Sequence, residues 1–142
     1  MHRRLPRLLV NEEEIANATC EVLPKCVIQV VDFERLSMSE QIKQSRLTDI
    51  YIGMHGGNLA NALWLDEGAH LIEIFMRTTS TYEYRNVCRL TGCVHTGFHG
   101  GLDVMNDGDR ERNKLIPVED WKMFIERWLL DNRDWLTDRK LM

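Results

Sequence analysis

The segment TDIYIGMHGGNLANALWL places His55, two glycines and Asn58 between two apolar runs. Gly56 and Gly57 carry no Cβ, so the backbone can take unusual angles there and a ligand can approach it closely. A helix that begins near Asn58 or Leu59 would present N–H groups and the positive end of its dipole, which together bind phosphate. An imidazole at His55 could donate a hydrogen bond to the same anion or to a sugar hydroxyl. The pattern favours an anion site, and an ordinary structural turn is the alternative.

This turn is not a standard nucleotide motif. Gly53 and Gly56 are three residues apart, which is the wrong spacing for a dinucleotide-binding turn, and the segment has no Walker lysine.

Arginines cluster near the N-terminus, at Arg3, Arg4 and Arg7. Guanidinium groups form bidentate hydrogen bonds with phosphate. If a strand begins at Arg7, then Arg3 and Arg7 could bind a diphosphate. The alternative is a frayed basic terminus.

Strand-like and helix-like segments alternate along the chain. The predicted strands are RLLV (7–10), CVIQVVDF (26–33), DIYIGM (49–54), AHLIEIF (69–75) and a short edge strand CVHTGF (93–98). The predicted helices are 11–23 with Asn11 as N-cap, 37–47 with a Ser37/Glu40 capping box, 58–65, 80–92, and 117–130 with Pro117 in its first turn. Residues 97–116 are polar and predicted to form a loop. In the last helix, six apolar residues recur at helical spacing and predict a core stripe: Val118, Trp121, Phe124, Ile125, Trp128 and Leu129.

This alternation predicts an α/β fold with a Rossmann-like parallel sheet flanked by helices. Ligands of such sheets bind at the carboxyl ends of the strands. The glycine turn follows the strand at 49–54 and therefore lies at such an end.

The composition fits one domain with a core of its own. The chain has 142 residues, 44% of them apolar and 28% charged, and a net charge of −4. No overall positive charge favours nucleic acid or an anionic membrane, and no apolar run approaches the roughly 18 residues that span a bilayer.

The four cysteines include no Cys-x-x-Cys pair, which argues against a zinc ribbon. Cys88 and Cys93 could form a disulfide in an oxidising compartment, although buried or reduced thiols are the alternative. Asn17-Ala18-Thr19 is a glycosylation sequon, which is usable only in a secretory lumen.

Two patterns could suggest a metal site. Asp107-Gly108-Asp109 has an Asp-x-Asp spacing, but its charged neighbours favour a solvated loop. His95, His99 and Asp103 match no standard ligand spacing. We therefore expect no metal site.

Several segments in one order resemble glycosyltransferase family 61. They are Arg3, Arg7 and NEEE, then SEQIKQSRLTDIYIGMHGGNL, then GAHLIEIF. The resemblance runs from about Arg3 to Phe75 and continues weakly to the last helix. It implies an inverting GT-B-type transferase that needs no metal or cofactor, with a UDP-sugar as donor substrate.

By this resemblance, residues 1–142 are a single donor-binding domain, the C-terminal half of such an enzyme, and the N-terminal acceptor domain is absent. The transferred sugar would be N-acetylglucosamine, and the acceptor a Ser or Thr of a protein, such as an EGF-like domain or another glycoprotein, or a glycan hydroxyl. The location would be the lumen of the endoplasmic reticulum or Golgi. The catalytic base is expected outside this chain.

The resemblance also assigns roles to individual residues. Arg3 and Arg7 match the basic positions and would neutralise the diphosphate, while Asn11 and Glu12 match an Asn-Glu pair that caps a helix and holds those arginines. The turn matches at five positions, which would bind the donor phosphates: His55, Gly56, Gly57, Asn58 and Leu59. Glu73 matches a strand glutamate that could bind the ribose or be structural.

The turn departs from the usual His-Gly-Ala-Gly-Leu, because Asn58 replaces a glycine and could crowd the donor. Two alternatives therefore stay open. One is a non-catalytic, degenerate relative that binds a nucleotide or a protein, and the other is an unrelated Rossmann-like enzyme for phosphorylated metabolites.

Overall fold

A computed structural model of the chain describes residues 8–77, 81–105 and 112–141. Within these ranges the helices are α1 (Glu12–Val22), α2 (Met38–Arg46), α3 (Glu83–Thr91), α4 (Val118–Asp131) and α5 (Arg133–Asp138). The strands are β1 (Ile50–Met54), β2 (His70–Ile74), β3 (Val94–Phe98), β4 (Leu102–Met105) and β5 (Arg112–Leu115), and short 3-10 helices cover Phe33–Arg35 and Gly57–Trp64. In the described part of the chain, no helix has both the length and the apolar character that crossing a membrane requires.

The contacts divide the chain into two compact units. The first unit comprises Met1–Val30 and Gly100–Met142, and the second comprises Val31–His99.

The second unit contains a three-stranded parallel sheet in the order β1-β2-β3. Ile50 lies opposite His70, which lies opposite Val94. The 3-10 helix at Gly57–Trp64 connects β1 to β2, and α3 connects β2 to β3. Both contribute buried residues to one apolar cluster around Leu71 of β2. The predicted α/β class with a parallel sheet and flanking helices is confirmed.

The Ser37 capping box of α2 is also present. The Ser37 amide and hydroxyl donate to Glu40 Oε2 at 2.8 and 2.6 Å. These hydrogen bonds hold the pKa of Glu40 below its ordinary value.

In the first unit, α1 packs against α4. The indole Nε1 of Trp121 donates to Thr19 Oγ1 at 2.8 Å, and Trp121, Ile125 and Trp128 are buried as predicted. Thr19 is therefore a core residue, while Asn17 of the same sequon is exposed.

Three sequence predictions about strands and loops were wrong. The predicted strand at 26–33 is absent, since described residues 27–32 have no regular structure and Val27 is 87% exposed. In the predicted strand at 7–10, the described residues 8–10 form an isolated parallel bridge from Leu9 to Lys114 rather than a strand. The loop predicted at 97–116 contains β4 and β5, which pair antiparallel with Leu102 opposite Leu115. The sequence did not predict these strands, because they bury a lysine and an asparagine instead of showing alternating apolar residues.

Asn11 stands at the N-cap position of α1, but its side chain makes no capping hydrogen bond. Its Nδ2 donates to the Ile116 carbonyl at 2.8 Å, and its Oδ1 accepts from the Ile116 amide at 3.2 Å. The Asn11 side chain therefore links the start of α1 to the segment before α4. The sequence had predicted that it would instead cap α1.

Gly92 ends α3 in the left-handed region, at φ 83°. A Cβ there would also lie 2.8 Å from Glu67 Cγ. We expect Gly92→Ala to reduce the free energy of unfolding by about 1–2 kcal/mol, the cost of left-handed backbone for an L-residue. Urea denaturation followed by circular dichroism would measure this loss. Gly57→Ala is the matched control, because Gly57 has no left-handed φ and a Cβ there would contact no protein atom within 4 Å. Equal stability of the two variants would contradict this expectation.

Candidate functional site

The His-Gly-Gly-Asn turn lies at the carboxyl end of β1. The His55 amide donates to the Ile74 carbonyl at 2.9 Å, which ties the start of the turn to β2. Two tyrosine hydroxyls hold its later carbonyls. Tyr84 donates to Gly56 O at 2.5 Å, and Tyr51 donates to Asn58 O at 2.9 Å. The sheet and α3 therefore fix the backbone of the turn.

Burial raises the pKa of the Tyr51 hydroxyl well above its ordinary value, and the nearby Tyr84 raises it further. Tyr51 thus keeps its proton at neutral pH and remains a donor to the turn.

The helix after the turn is a 3-10 helix rather than the predicted α-helix. The Leu59 amide already donates to Gly56 O at 3.0 Å. Among the described residues, no acceptor is hydrogen-bonded to the amides of Gly57 and Asn58. The turn therefore offers two backbone N–H groups to a ligand, fewer than an α-helix would offer.

The turn does not depend on unusual glycine conformations. Gly56 has φ 164° and ψ 179°, which is extended backbone, and Asn58 has no positive φ. Asn58 is exposed, and its carbonyl also accepts from Asn61 Nδ2 at 3.1 Å. A Cβ on Gly57 would project into open space, so the missing side chain leaves room beside the turn.

Gly53 and Leu59 serve packing. A Cβ on Gly53 would lie 2.7 Å from Leu59 Cδ2. Leu59 is 1% exposed and belongs to the apolar cluster of the second unit. The structure thus places the Leu59 side chain in the core and not beside the turn's amides.

A buried carboxylate lies beside His55. Glu73 of β2 is fully buried, and its two oxygens contact His55 Nδ1 at 2.5 Å and His95 Nε2 at 2.6 Å. Each of the three side chains is no more than 11% exposed. His95 was not predicted to be a partner of His55. The available signal was a glutamate within an otherwise apolar strand, which needs polar partners when buried.

Aromatic rings line the same end of the sheet. Phe75 stacks on His99, with ring centroids 4.5 Å apart and planes 3° apart, and its ring lies 5.9 Å from that of His55. A Cβ on Gly97 would lie 2.9 Å from Phe75 Cε2 and 3.1 Å from His99 Nε2. The glycine thus permits the stacked arrangement.

A disulfide joins Cys88 of α3 to Cys93, directly before β3. The same helix carries Tyr84, which holds the Gly56 carbonyl. The disulfide thus restrains the helix that supports the glycine turn.

Several predicted residues lie outside the described residues. Arg3 and Arg7 are among them, so their roles stay predictions, as does the reading of Asp107-Gly108-Asp109 as a solvated loop. Glu12, in the first turn of α1, is exposed.

In the described ranges, no group of three or more His, Cys, Asp or Glu side chains has a geometry that could hold a metal ion.

Comparison with known proteins gives consistent results. The model of the family "Glycosyltransferase 61" matches residues 1–72. The relatives include proteins named EGF domain-specific O-linked N-acetylglucosamine transferase. That of Drosophila melanogaster is 36% identical over 86 residues, which cover 61% of this chain and 16% of the relative. Those of Gallus gallus and Canis lupus familiaris are 29% and 32% identical over 115 residues, 80% of this chain and 19% of each relative. The chain thus spans less than a fifth of the length of these relatives.

Proposed function

Because the chain belongs to glycosyltransferase family 61, we propose that it binds the nucleotide-sugar donor of a glycosyltransferase at the turn formed by residues 55–58. The observation that carries this proposal is the rigid turn at the carboxyl end of β1, with the amides of Gly57 and Asn58 available to a phosphate. Backbone N–H groups at a helix start favour anions, and this edge of a parallel sheet is where ligands bind.

The proposed reaction transfers N-acetylglucosamine from UDP-N-acetylglucosamine to a Ser or Thr hydroxyl of an acceptor protein. The names of the relatives suggest an EGF-like domain as that acceptor. The hydroxyl attacks the anomeric carbon with inversion while the bond to the diphosphate breaks, and the diphosphate gains negative charge. In a metal-independent site, N–H groups and cationic side chains must stabilise that charge.

The chain would be the donor-binding half of a GT-B enzyme, with the base contributed by residues outside it. Arg3 and Arg7 would bind the diphosphate, as the family resemblance implies. Ribose binding by Glu73 stays a prediction, and the burial of that carboxylate between two imidazoles gives it a structural role in addition.

A location in the lumen of the endoplasmic reticulum or Golgi is part of the same proposal. The disulfide between Cys88 and Cys93 supports it, because such bonds persist in oxidising compartments.

Gly57→Ala tests the proposed phosphate site. The added methyl group would contact no protein atom within 4 Å, so stability should be unchanged. It would occupy space beside the exposed amides, and we expect the affinity for UDP to fall about tenfold, or 1.4 kcal/mol. Calorimetric titration with UDP, with and without Mn²⁺, measures this change.

Ser39→Thr is a suitable control, since it adds one methyl group at an exposed position of α2. UDP binding that is independent of metal and weakened only by Gly57→Ala would support the proposal. A folded wild-type chain that binds no UDP would instead favour a non-catalytic relative.

A further inference from the structure

Glu73 is isolated from solvent but not from hydrogen-bond donors. It sits in β2, where its neighbours Ile72 and Ile74 are buried apolar residues. A carboxylate at 0% exposure has lost its hydration, and this costs several kcal/mol unless fixed donors replace the water. The imidazoles of His55 and His95 supply those donors, one to each carboxylate oxygen.

The sheet register explains how three strands build this group. Gly53 of β1 and Gly97 of β3 lie directly opposite Glu73. Leu59 packs over Gly53, and Phe75 packs over Gly97. His55 follows Gly53 by two residues, and His95 precedes Gly97 by two residues. Because side chains alternate between the faces of a strand, both histidines share the face of Glu73.

The hydrogen bonds determine which imidazole nitrogens carry protons. An ionised carboxylate can only accept hydrogen bonds. With Glu73 ionised, the two nitrogens that face it, Nδ1 of His55 and Nε2 of His95, both carry protons. This arrangement leaves the Nε2 edge of His55 on the side of Thr81, whose Oγ1 lies 3.4 Å from it.

We propose that Glu73 is a positioning residue that holds His55 and His95 with their N–H groups turned inward and thereby fixes the His55 ring at the donor-binding turn. This inference rests on the proposed function for the identity of the ligand, the diphosphate of a nucleotide sugar. His55 contacts the nucleotide sugar through Nε2, which donates to the diphosphate when both ring nitrogens are protonated and accepts from a sugar hydroxyl when only Nδ1 is, while Glu73 and His95 act through it. The interaction of His55 with the Phe75 and Tyr84 rings further limits its motion.

The Glu73→Gln variant distinguishes a positioning role of Glu73 from a packing role, because glutamine has nearly the same shape as glutamate but different hydrogen-bonding groups. Its amide has one accepting oxygen and one donating nitrogen. One of the two imidazoles must then present a bare nitrogen to it, so that ring changes tautomer or turns away. The ¹⁵N spectra of histidine-labelled protein distinguish protonated from bare ring nitrogens directly, and packing alone would not alter them.

The experiment uses the complete 142-residue chain, with Glu83→Gln as the matched control at an exposed position of α3. In the wild-type chain and in the control, we expect both nitrogens that face Glu73 to be protonated. In folded Glu73→Gln, we expect one of them to lose its proton and the UDP affinity to fall at least tenfold.

Two results would overturn the proposal. One is a bare nitrogen facing Glu73 in the wild-type chain, a measurement that still decides the matter if Glu73→Gln does not fold. The other is a folded Glu73→Gln protein whose UDP affinity equals that of the wild type. Absence of UDP binding by the wild-type chain would count against the proposed function instead, because the ¹⁵N spectra need no nucleotide.

Discussion

Replacing Arg7 with alanine is expected to lower turnover roughly a hundred- to a thousandfold and to leave the folded structure intact. In the proposed reaction, the diphosphate gains negative charge as its bond to the sugar breaks, and in a metal-independent site each positioned donor would stabilise the transition state by about 3 kcal/mol. Arginine suits this role because its guanidinium group binds phosphate oxygens in pairs. The measurement is transfer of N-acetylglucosamine to an EGF-like domain by an enzyme that combines this chain with an acceptor-binding domain.

Two further variants sharpen this experiment. Arg7→Lys keeps the charge but loses the bidentate geometry, so its turnover should lie between those of the wild type and Arg7→Ala. Arg89→Ala removes an arginine from an exposed position of α3 and should have no effect. Turnover of Arg7→Ala equal to that of the wild type would show that Arg7 does not contact the diphosphate.

The parts of the fold that follow from local chemistry were predictable from the sequence. Ser37 and Glu40 form their capping box, and the stripe of Trp121, Ile125 and Trp128 is buried. The apolar runs at β1 and β2 form a parallel sheet with helices on one face. In each case the pattern that predicts the element lies within one short segment of the sequence.

The errors arose where distant partners decide the structure. The run CVIQVVDF has the β-branched residues of a strand, but its described residues pair with no neighbouring strand and Val27 remains exposed. Strand propensity by itself therefore does not form a strand where no neighbouring strand pairs with the segment. Conversely, β4 and β5 pair within a polar segment that the sequence suggested would form a loop.

The candidate site was predictable in its location but not in its chemistry. His55 and the glycines indicated the turn, because parallel strands present their carboxyl ends to ligands. The link from His55 through Glu73 to His95 spans 40 residues of chain and depends on the register of three strands. A pattern within one segment cannot show that register.

The buried ion pair of β4 and β5 leads to the largest stability effect that we expect. Lys114 Nζ lies 3.0 Å from Asp103 Oδ1, and the two side chains are 1% and 5% exposed. Asp103→Ala should reduce the free energy of unfolding by about 3–5 kcal/mol, because it leaves the lysine ammonium buried without the carboxylate that binds it. Asp138→Ala, at the exposed end of α5, should change stability by no more than about 0.5 kcal/mol.

A double-mutant cycle with Lys114→Met shows whether the loss comes from the buried charge. The pair Asp103→Leu and Lys114→Met replaces both charges with apolar groups, a change that is often neutral or stabilising in buried pairs. In urea denaturation we therefore expect the double variant to lose much less stability than the sum of the losses in Asp103→Leu alone and Lys114→Met alone, and this difference is the coupling energy of the pair. Losses that simply add would mean that Lys114 and Asp103 contribute independently. In that case the ammonium would reach water once its partner is removed, and the hairpin would owe its stability to packing around β4 and β5 rather than to this pair.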